Sequence, residues 1–442
     1  MRPLEWLFVL SFLPLIVITF GPARWRASWA PLAMAPGIIA AAQVLLEGWR
    51  WQLLALYLLA GVLLAAGALG RGEREPLGRF PRWVGGLVLL GAVAGTTLLA
   101  AWALPIITLP APTGPYAVGA VDRMLVDPAR DRRLMATVWY PAAERGAPKP
   151  FTDAPDALMA GMEHLTGLPG IVFQHMRYID TAASDSAPLL TGEGPFPVLL
   201  FSHGMVGMRA QNSSMLQDLA SWGYIVVALD HTDAAAVTAF PDGEVRFYNP
   251  ASFGLPLDKA PAAGAVEANV FPVWVADQRF AIDTLEAWQA DDPLFAGALD
   301  LAQLGAFGHS FGGATSLETC RVDPRCHAAA DLDGGIYGAL TEEPATRPLL
   351  LLSSQSSGGD EAARAKWRAV VDNAEAPALW LELPGSSHLS FTDSELLSPI
   401  LPQPGFDPRA GLALAGHDVR TFFDRYLRGE DDGPYELPAV AP

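Results

Sequence analysis

The chain has 442 residues, of which 51% are hydrophobic and only 17% charged, and a formal net charge of −18. Its length allows two or three domains, and the acidic excess excludes nucleic acid as a natural partner, because the phosphates would be repelled. The balance is uneven: residues 1–110 carry 8 Lys+Arg and 4 Asp+Glu, the remainder 21 and 43, so an apolar, mildly basic front precedes an acidic body.

Four apolar stretches fill the front, at about 3–20, 30–47, 51–70 and 83–104. Each approaches the ~20 residues that cross a hydrocarbon core. A cleaved signal peptide would explain only the first, which has no basic cluster beyond Arg2 and carries Pro14 inside. Residues 1–106 are therefore expected to form a transmembrane region of about four helices that holds the chain in a lipid bilayer. Arg24 and Arg26 mark one loop, and Arg71, Arg74, Arg79 and Arg82 another; the opposite side has only Arg2 and Arg50. Basic loops stay cytoplasmic, which places both termini and the acidic body outside the cytoplasm. Neither Glu5 nor Glu47 lies deep in a stretch, so no polar pathway of a transporter is expected.

"ITLPAPTGP" is a Pro-rich exit, giving a linker at 107–114, a body at 115–430 and a tail at 431–442. "YAVGAVDRMLVD" and "RRLMATVWYPA" predict two strands joined by a polar turn. Residues 150–190, rich in Pro, Gly and Ala, predict an irregular surface stretch beside a substrate cleft. "FPVLLFSHG" and "YIVVALDH" are buried strand runs flanking the helical "NSSMLQDLASWG", and strand–helix–strand implies a parallel crossover. Further helices are predicted at 272–291, 311–320, 361–373 and 415–429, alternating with strands in 301–310, 327–335, 347–354 and 378–385. The alternation predicts an α/β fold with a mostly parallel central sheet flanked by helices. Cys320 and Cys326, six apart, fit either a disulfide or two free thiols, and they make no zinc site.

Gly308-His309-Ser310-Phe311-Gly312 stands between a predicted strand and a predicted helix. A serine between small residues at such a junction fits a nucleophile elbow, with Gly308, His309 and Gly312 forming the turn. The hydroxyl needs a base. His388 follows a strand in "PGSSHLSF" and is preferred to His417, expected at the start of the last helix, where capping is the plainer role. Asp333, at the end of "HAAADLD", and Asp360, after "LLLLSSQSSGG", both suit the acid, and Asp331 needs separate testing. The oxyanion hole would use the backbone N–H groups of Phe311 and of Met205, after "LLFSHG"; His203 would brace that loop.

"LLFSHG", "LASWGYIVVALDH", "GHSFGGAT", "LDGG" and "GSSH" come in this order, with "VWYPA" and "FPDGE" beside them. Over roughly 114–430 this set resembles the platelet-activating-factor acetylhydrolase family, its secreted and type II members and their bacterial relatives. The resemblance implies an α/β-hydrolase that cleaves short or oxidised acyl esters, including phospholipid esters, without metal or cofactor. It implies Ser310 as nucleophile, His388 as base, Met205 and Phe311 as oxyanion donors, and an acid in the "LD" pair, which favours Asp333 over Asp360. The expected protein is a membrane-anchored serine esterase of a bacterial inner membrane, its catalytic domain periplasmic. The four spans and the 150–190 segment depart from the animal enzymes, which leaves a broader carboxylesterase, lipase or polyester hydrolase, or a silent scaffold, as alternatives.

Overall fold

The structure is a computed structural model that describes residues 1–21, 25, 29–68, 79–257, 262–340, 342–430 and 433–440. The chain divides into two units. The first comprises Met1–Ile107 with Ile171–Tyr178 and Leu397–Ile400. The last two segments fall inside the stretch that the sequence assigns to the body.

The first unit contains helices α1 (Pro3–Leu10), α2 (Leu13–Phe20), α3 (Trp29–Glu47), α4 (Leu54–Ala68) and α5 (Arg79–Leu98). Phe8, Phe12, Leu15, Leu53, Leu56 and Val93 pack at its centre. Leu45, Leu46, Leu58, Val62 and Val88 stay exposed on the helices. Among the described residues two helical stretches, Pro3–Phe20 and Trp83–Ala103, are long and apolar enough to cross a membrane. Pro31–Glu47 and Trp51–Ala66 are apolar but shorter, so two stretches rather than four reach the length that the sequence led us to expect. Arg24, Arg26, Arg71 and Arg74, on which the orientation rests, lie outside the described residues.

The second unit is built on a ten-stranded sheet. In chain order its elements are β1 (Ala117–Asp127), β2 (Arg132–Ala142), β3 (Pro148–Pro150), α6 (Pro155–Thr166), β4 (Asp180–Asp185), β5 (Phe196–Ser202), α7 (Ser213–Ser221) and β6 (Ile225–Asp230). A two-stranded ribbon follows, β7 (Val237–Ala239) with β8 (Val245–Phe247), then α8 (Ala263–Asn269) and α9 (Phe271–Asp291). The rest is β9 (Leu299–His309), α10 (Phe311–Val322), β10 (Ala328–Leu332), β11 (Leu349–Ser354), α11 (Gln355–Gly358), α12 (Glu361–Asn373), β12 (Ala378–Leu383) and α13 (Pro408–Phe423).

The sheet order is β12-β11-β10-β9-β5-β6-β2-β1-β4-β3. The six strands from β12 to β6 run parallel, and β2 pairs antiparallel with β6 and β1. The parallel strands β5, β6, β10 and β11 are buried on both faces, which is why they read as continuous apolar runs. Val198 and Leu200 of β5 pack on one side with Ile282 and Leu285 of α9, while Leu199 and Phe201 face α7 and α13 on the other. Cys320 and Cys326 are paired, their Cα atoms 4.7 Å apart.

One expectation changes here. Residues 150–190 are not irregular: they hold α6, a 3₁₀ segment at Gly170–Tyr178 and β4, which joins the sheet beside β1. Within the segment given as the tail, Glu382 N–H donates to Pro438 O at 3.1 Å and Val440 N–H to Trp380 O at 2.9 Å along the edge of β12.

Candidate active site

Ser310 occupies the junction between β9 and α10 with φ 55° and ψ −124°, a backbone conformation that costs an L-residue energy and is kept where the surroundings enforce it. The surroundings here are backbone. A Cβ on Gly308 would lie 2.4 Å from Gly312 C and 2.5 Å from Ser202 O, and one on Gly312 would lie 2.2 Å from Ser202 O and 2.3 Å from His203 O. Only glycine lets β9, α10 and the end of β5 approach so closely. The turn leaves the Ser310 side chain partly exposed at the N-terminus of α10, where the helix dipole favours developing negative charge.

The 3₁₀ turn His388–Phe391, which follows β12, delivers the imidazole. The Ser310 hydroxyl donates to His388 Nε2 at 2.9 Å. His388 Nδ1–H donates to Asp333 Oδ2 at 2.7 Å. The His388 side chain is 44% exposed and the Asp333 carboxylate fully buried, so solvent reaches the imidazole but not the carboxylate.

Asp333 leaves the end of β10 with φ 58°, which separates its side chain from that of Asp331 two residues earlier. Asp333 Oδ1 accepts from Ser354 N–H at 2.6 Å, and Oδ2 accepts from the hydroxyls of Ser354 at 2.9 Å and Ser357 at 2.8 Å. The sequence did not single out these serines; their only signal is the Ser-rich "SSQSS" after β11. Asp331 is buried beneath the elbow, where desolvation pushes its carboxyl well above the usual range, and it accepts from Gly334 N–H at 2.8 Å. Asp360 lies elsewhere: it is the N-cap of α12, accepting from Ala362 N–H at 2.8 Å and Ala363 N–H at 3.3 Å. His417 is inside α13, not at its start; Asp407 caps that helix.

Met205 follows β5 in a loop where Val206 takes φ 58°, donating to Ala234 O at 3.1 Å, and Gly207 N–H donates to Gly204 O at 2.8 Å. Phe311 is the first residue of α10, whose N–H has no intrahelical partner. Among the described residues neither the Met205 nor the Phe311 N–H donates to a protein acceptor. His203 braces the same loop, accepting from His231 N–H through Nε2 at 3.2 Å and donating to Gly204 O through Nδ1 at 2.6 Å. Burial lowers its pKa to about 3, so the ring is neutral.

A second Ser–His–Asp chain lies nearby. Ser202 Oγ is 2.9 Å from His231 Nε2, and His231 Nδ1 is 3.0 Å from Asp277 Oδ2. All three are fully buried, and Asp277 is also clamped by Arg132 and Arg130. The exposure of His388 and Ser310, not the residue types, separates the two constellations. No cluster suited to a metal ion occurs among the described residues.

Known proteins fit this architecture. The model of the family described as platelet-activating factor acetylhydrolase, isoform II, matches residues 103–245 and 287–407, segments that include Met205, Ser310, Phe311, Asp333 and His388. The chain is 24% identical over 347 residues to the platelet-activating factor acetylhydrolase of Cavia porcellus, covering 72% of this chain and 78% of the relative. It is 25% identical over 270 residues to a probable 1-alkyl-2-acetylglycerophosphocholine esterase of Arthroderma benhamiae, covering 55% of this chain and 64% of that protein. The solved structure of a ferulic acid esterase from Streptomyces cinnamoneus aligns with a TM-score of 0.62 at 26% identity, over 76% of this chain and 100% of that one. With a large, mostly parallel sheet and a family match over more than half of its length, the chain belongs to the platelet-activating factor acetylhydrolase, isoform II, family and is a carboxylic ester hydrolase.

Proposed function

We propose that this protein is a membrane-anchored serine esterase that hydrolyses short-chain or oxidised acyl esters, phospholipid esters among them. The observation that carries the reading is the unbroken chain from Ser310 Oγ through His388 to the buried Asp333, at a strained turn. In this mechanism His388 Nε2 takes the hydroxyl proton as Ser310 Oγ bonds to the ester carbonyl carbon. The carbonyl oxygen becomes an oxyanion held by the N–H groups of Met205 and Phe311. The imidazolium, paired with Asp333, passes its proton to the leaving alkoxide as the C–O bond breaks. Water, activated by His388, then hydrolyses the acyl-serine and restores the hydroxyl. No metal or cofactor enters any step.

An apolar group beside the two oxyanion residues supports a short acyl chain. Phe271, Phe311 and Tyr337 lie with ring centroids 5.4–5.7 Å apart, and Met205 packs on the same cluster with Trp274 and Leu255. The exposed aliphatic side chains of the first unit, with its two apolar stretches of spanning length, support an address in the bilayer, with the catalytic unit facing the periplasm of a bacterial cell. The ferulic acid esterase likeness favours a second reading, a broader carboxylesterase acting on esters of aromatic acids such as ferulic acid.

The test is turnover by the full chain in detergent of nitrophenyl acetate, nitrophenyl palmitate, a 2-acetyl phospholipid and methyl ferulate. A dominant acetyl and phospholipid activity, absent in Ser310→Ala, supports the first reading. A ferulate preference supports the second, and activity that survives in Ser310→Ala contradicts both.

A further inference from the structure

The backbone groups on either side of Ser310 are joined by two side chains that the proposed mechanism does not use. Gly204 N–H donates to Gln211 Oε1 at 3.2 Å. Gln211 Nε2 is 2.8 Å from His309 Nδ1. His309 Nε2 is 2.8 Å from the carbonyl oxygen of His388. The direction of each bond follows from the partner that has no choice. The His388 carbonyl only accepts, so His309 Nε2 carries a proton. Gly204 N–H only donates, so the Gln211 oxygen faces it and the Gln211 amide group donates to His309 Nδ1. The ring is thus a neutral Nε2–H tautomer, and burial agrees, pushing His309 down to about 3 with the His388 charge adding to the effect.

The relay is closely packed. A Cβ on Gly207 would lie 1.9 Å from Gln211 Oε1, and one on Gly204 2.8 Å from His309 Nδ1. The segment after Gln211 grips the other end of the His388 turn: Asp393 N–H donates to Gln211 O at 3.0 Å, and Asn212 Nδ2 to Phe391 O at 2.5 Å. The loop carrying Met205 and the turn carrying His388 are therefore tied together through the core side of the elbow.

We infer that Gln211 and His309 are positioning residues that hold the Met205 oxyanion loop and the His388 turn at one fixed separation, so that oxyanion donor and base act on the same carbonyl. The inference rests on the serine-esterase reading above. A displacement of about 1 Å between groups that must act together can cost on the order of 10²-fold in rate. The loss belongs in kcat, because neither side chain is placed to touch bound substrate.

Gln211→Glu separates this role from packing. The carboxylate still accepts from Gly204 N–H but presents an acceptor to His309 Nδ1, so the relay closes only when His309 is protonated. The other titratable groups acting on His309 are His388, Asp333 and His203, all of which the variant keeps.

The experiment measures nitrophenyl acetate hydrolysis by the full chain in detergent from pH 5 to 9, with thermal unfolding as a folding check. Gln211→Ala is expected to lose about 10- to 100-fold in kcat with KM within about twofold. Gln211→Glu is expected to gain an ionisation that the wild type lacks, its kcat falling further as pH rises. His309→Asn, which keeps an acceptor for Gln211 but loses the donor to His388, is expected to show the kcat-only loss and carries the test if the Gln211 variants do not fold. Folded variants within twofold of wild-type kcat, or a Gln211→Glu loss equal at every pH, overturn the inference while leaving the serine reading intact. A folded wild type that a fluorophosphonate does not label overturns the serine reading and this inference with it.

Discussion

Asp333 and His388 are 55 positions apart in the chain and 2.7 Å apart in the fold. Two parallel strands, β10 and β12, end on the same edge of the sheet and present them, with β11 between. Ser354 at the end of β11 and Ser357 in α11 donate their hydroxyls to Oδ2, the same carboxylate oxygen that His388 binds, so the ends of three neighbouring strands meet around one carboxylate–imidazole pair.

Replacing this acid separates it from the alternative the sequence left open. Asp333→Asn keeps the shape but presents an amide to His388 Nδ1 and favours the wrong tautomer. Its kcat is expected to fall about 10³- to 10⁴-fold, measured with nitrophenyl acetate. Asp360→Ala removes the α12 N-cap instead, and is expected to cost about 1 kcal/mol of stability with kcat unchanged.

The serines behind Asp333 are expected to matter less than the acid, but measurably. Each donates to a buried carboxylate oxygen, a bond worth about 1.5–3 kcal/mol when one partner is charged. The double variant Ser354→Ala/Ser357→Ala is expected to lose roughly 10-fold or more in kcat. Steady-state rates with intact secondary structure by circular dichroism provide the check.

The elbow glycines admit no side chain. Because the atoms a Cβ would meet at Gly308 and Gly312 are backbone, no rotamer change relieves the contact. Gly308→Ala and Gly312→Ala are each expected to destabilise the fold by about 3 kcal/mol or more, seen as a lower unfolding midpoint or loss of folded protein.

Asp393 predicts a pH dependence of stability. Burial raises its carboxyl to about 7 although the Ser214 N–H and hydroxyl bind it. The folded value is above the ordinary 3.8, so the folded state holds the proton more tightly. The resulting stability is fully present below about pH 3.8 and is lost as pH rises through about 7. Asp393→Asn keeps an uncharged group there, so its stability relative to wild type is expected to increase between pH 5 and 9 in denaturant melts. A constant difference across that range would contradict the burial argument.

Much of the second unit was legible in its sequence because its central strands are buried on both faces. "FPVLLFS", "IVVALD" and "LLLLSS" are unbroken apolar runs, and each is a strand of the parallel sheet. The edge was harder. β3 and β4 are short, Pro- and Ala-rich, and make few ladder bonds, so local sequence carries little of their signal. Ser310 and His388 stand at strand ends that the alternation marks. Spacing alone did not separate Asp331, Asp333 and Asp360, and only the resemblance favoured Asp333; the positive φ at Asp333 and the capping bonds of Asp360 are features that no spacing discloses. Gln211 had no signal at all, because its partners, Gly204 and His309, are brought to it only by tertiary packing.

The central claim is that Ser310 is the nucleophile, and covalent capture tests it most directly. The full chain in detergent would be treated with a fluorophosphonate at neutral pH, digested, and the modified residue located by mass spectrometry. The account predicts one adduct, on Ser310, that is absent from Ser310→Ala and forms far more slowly in His388→Ala. A folded wild-type protein that takes no label, or takes it on another residue, would contradict it.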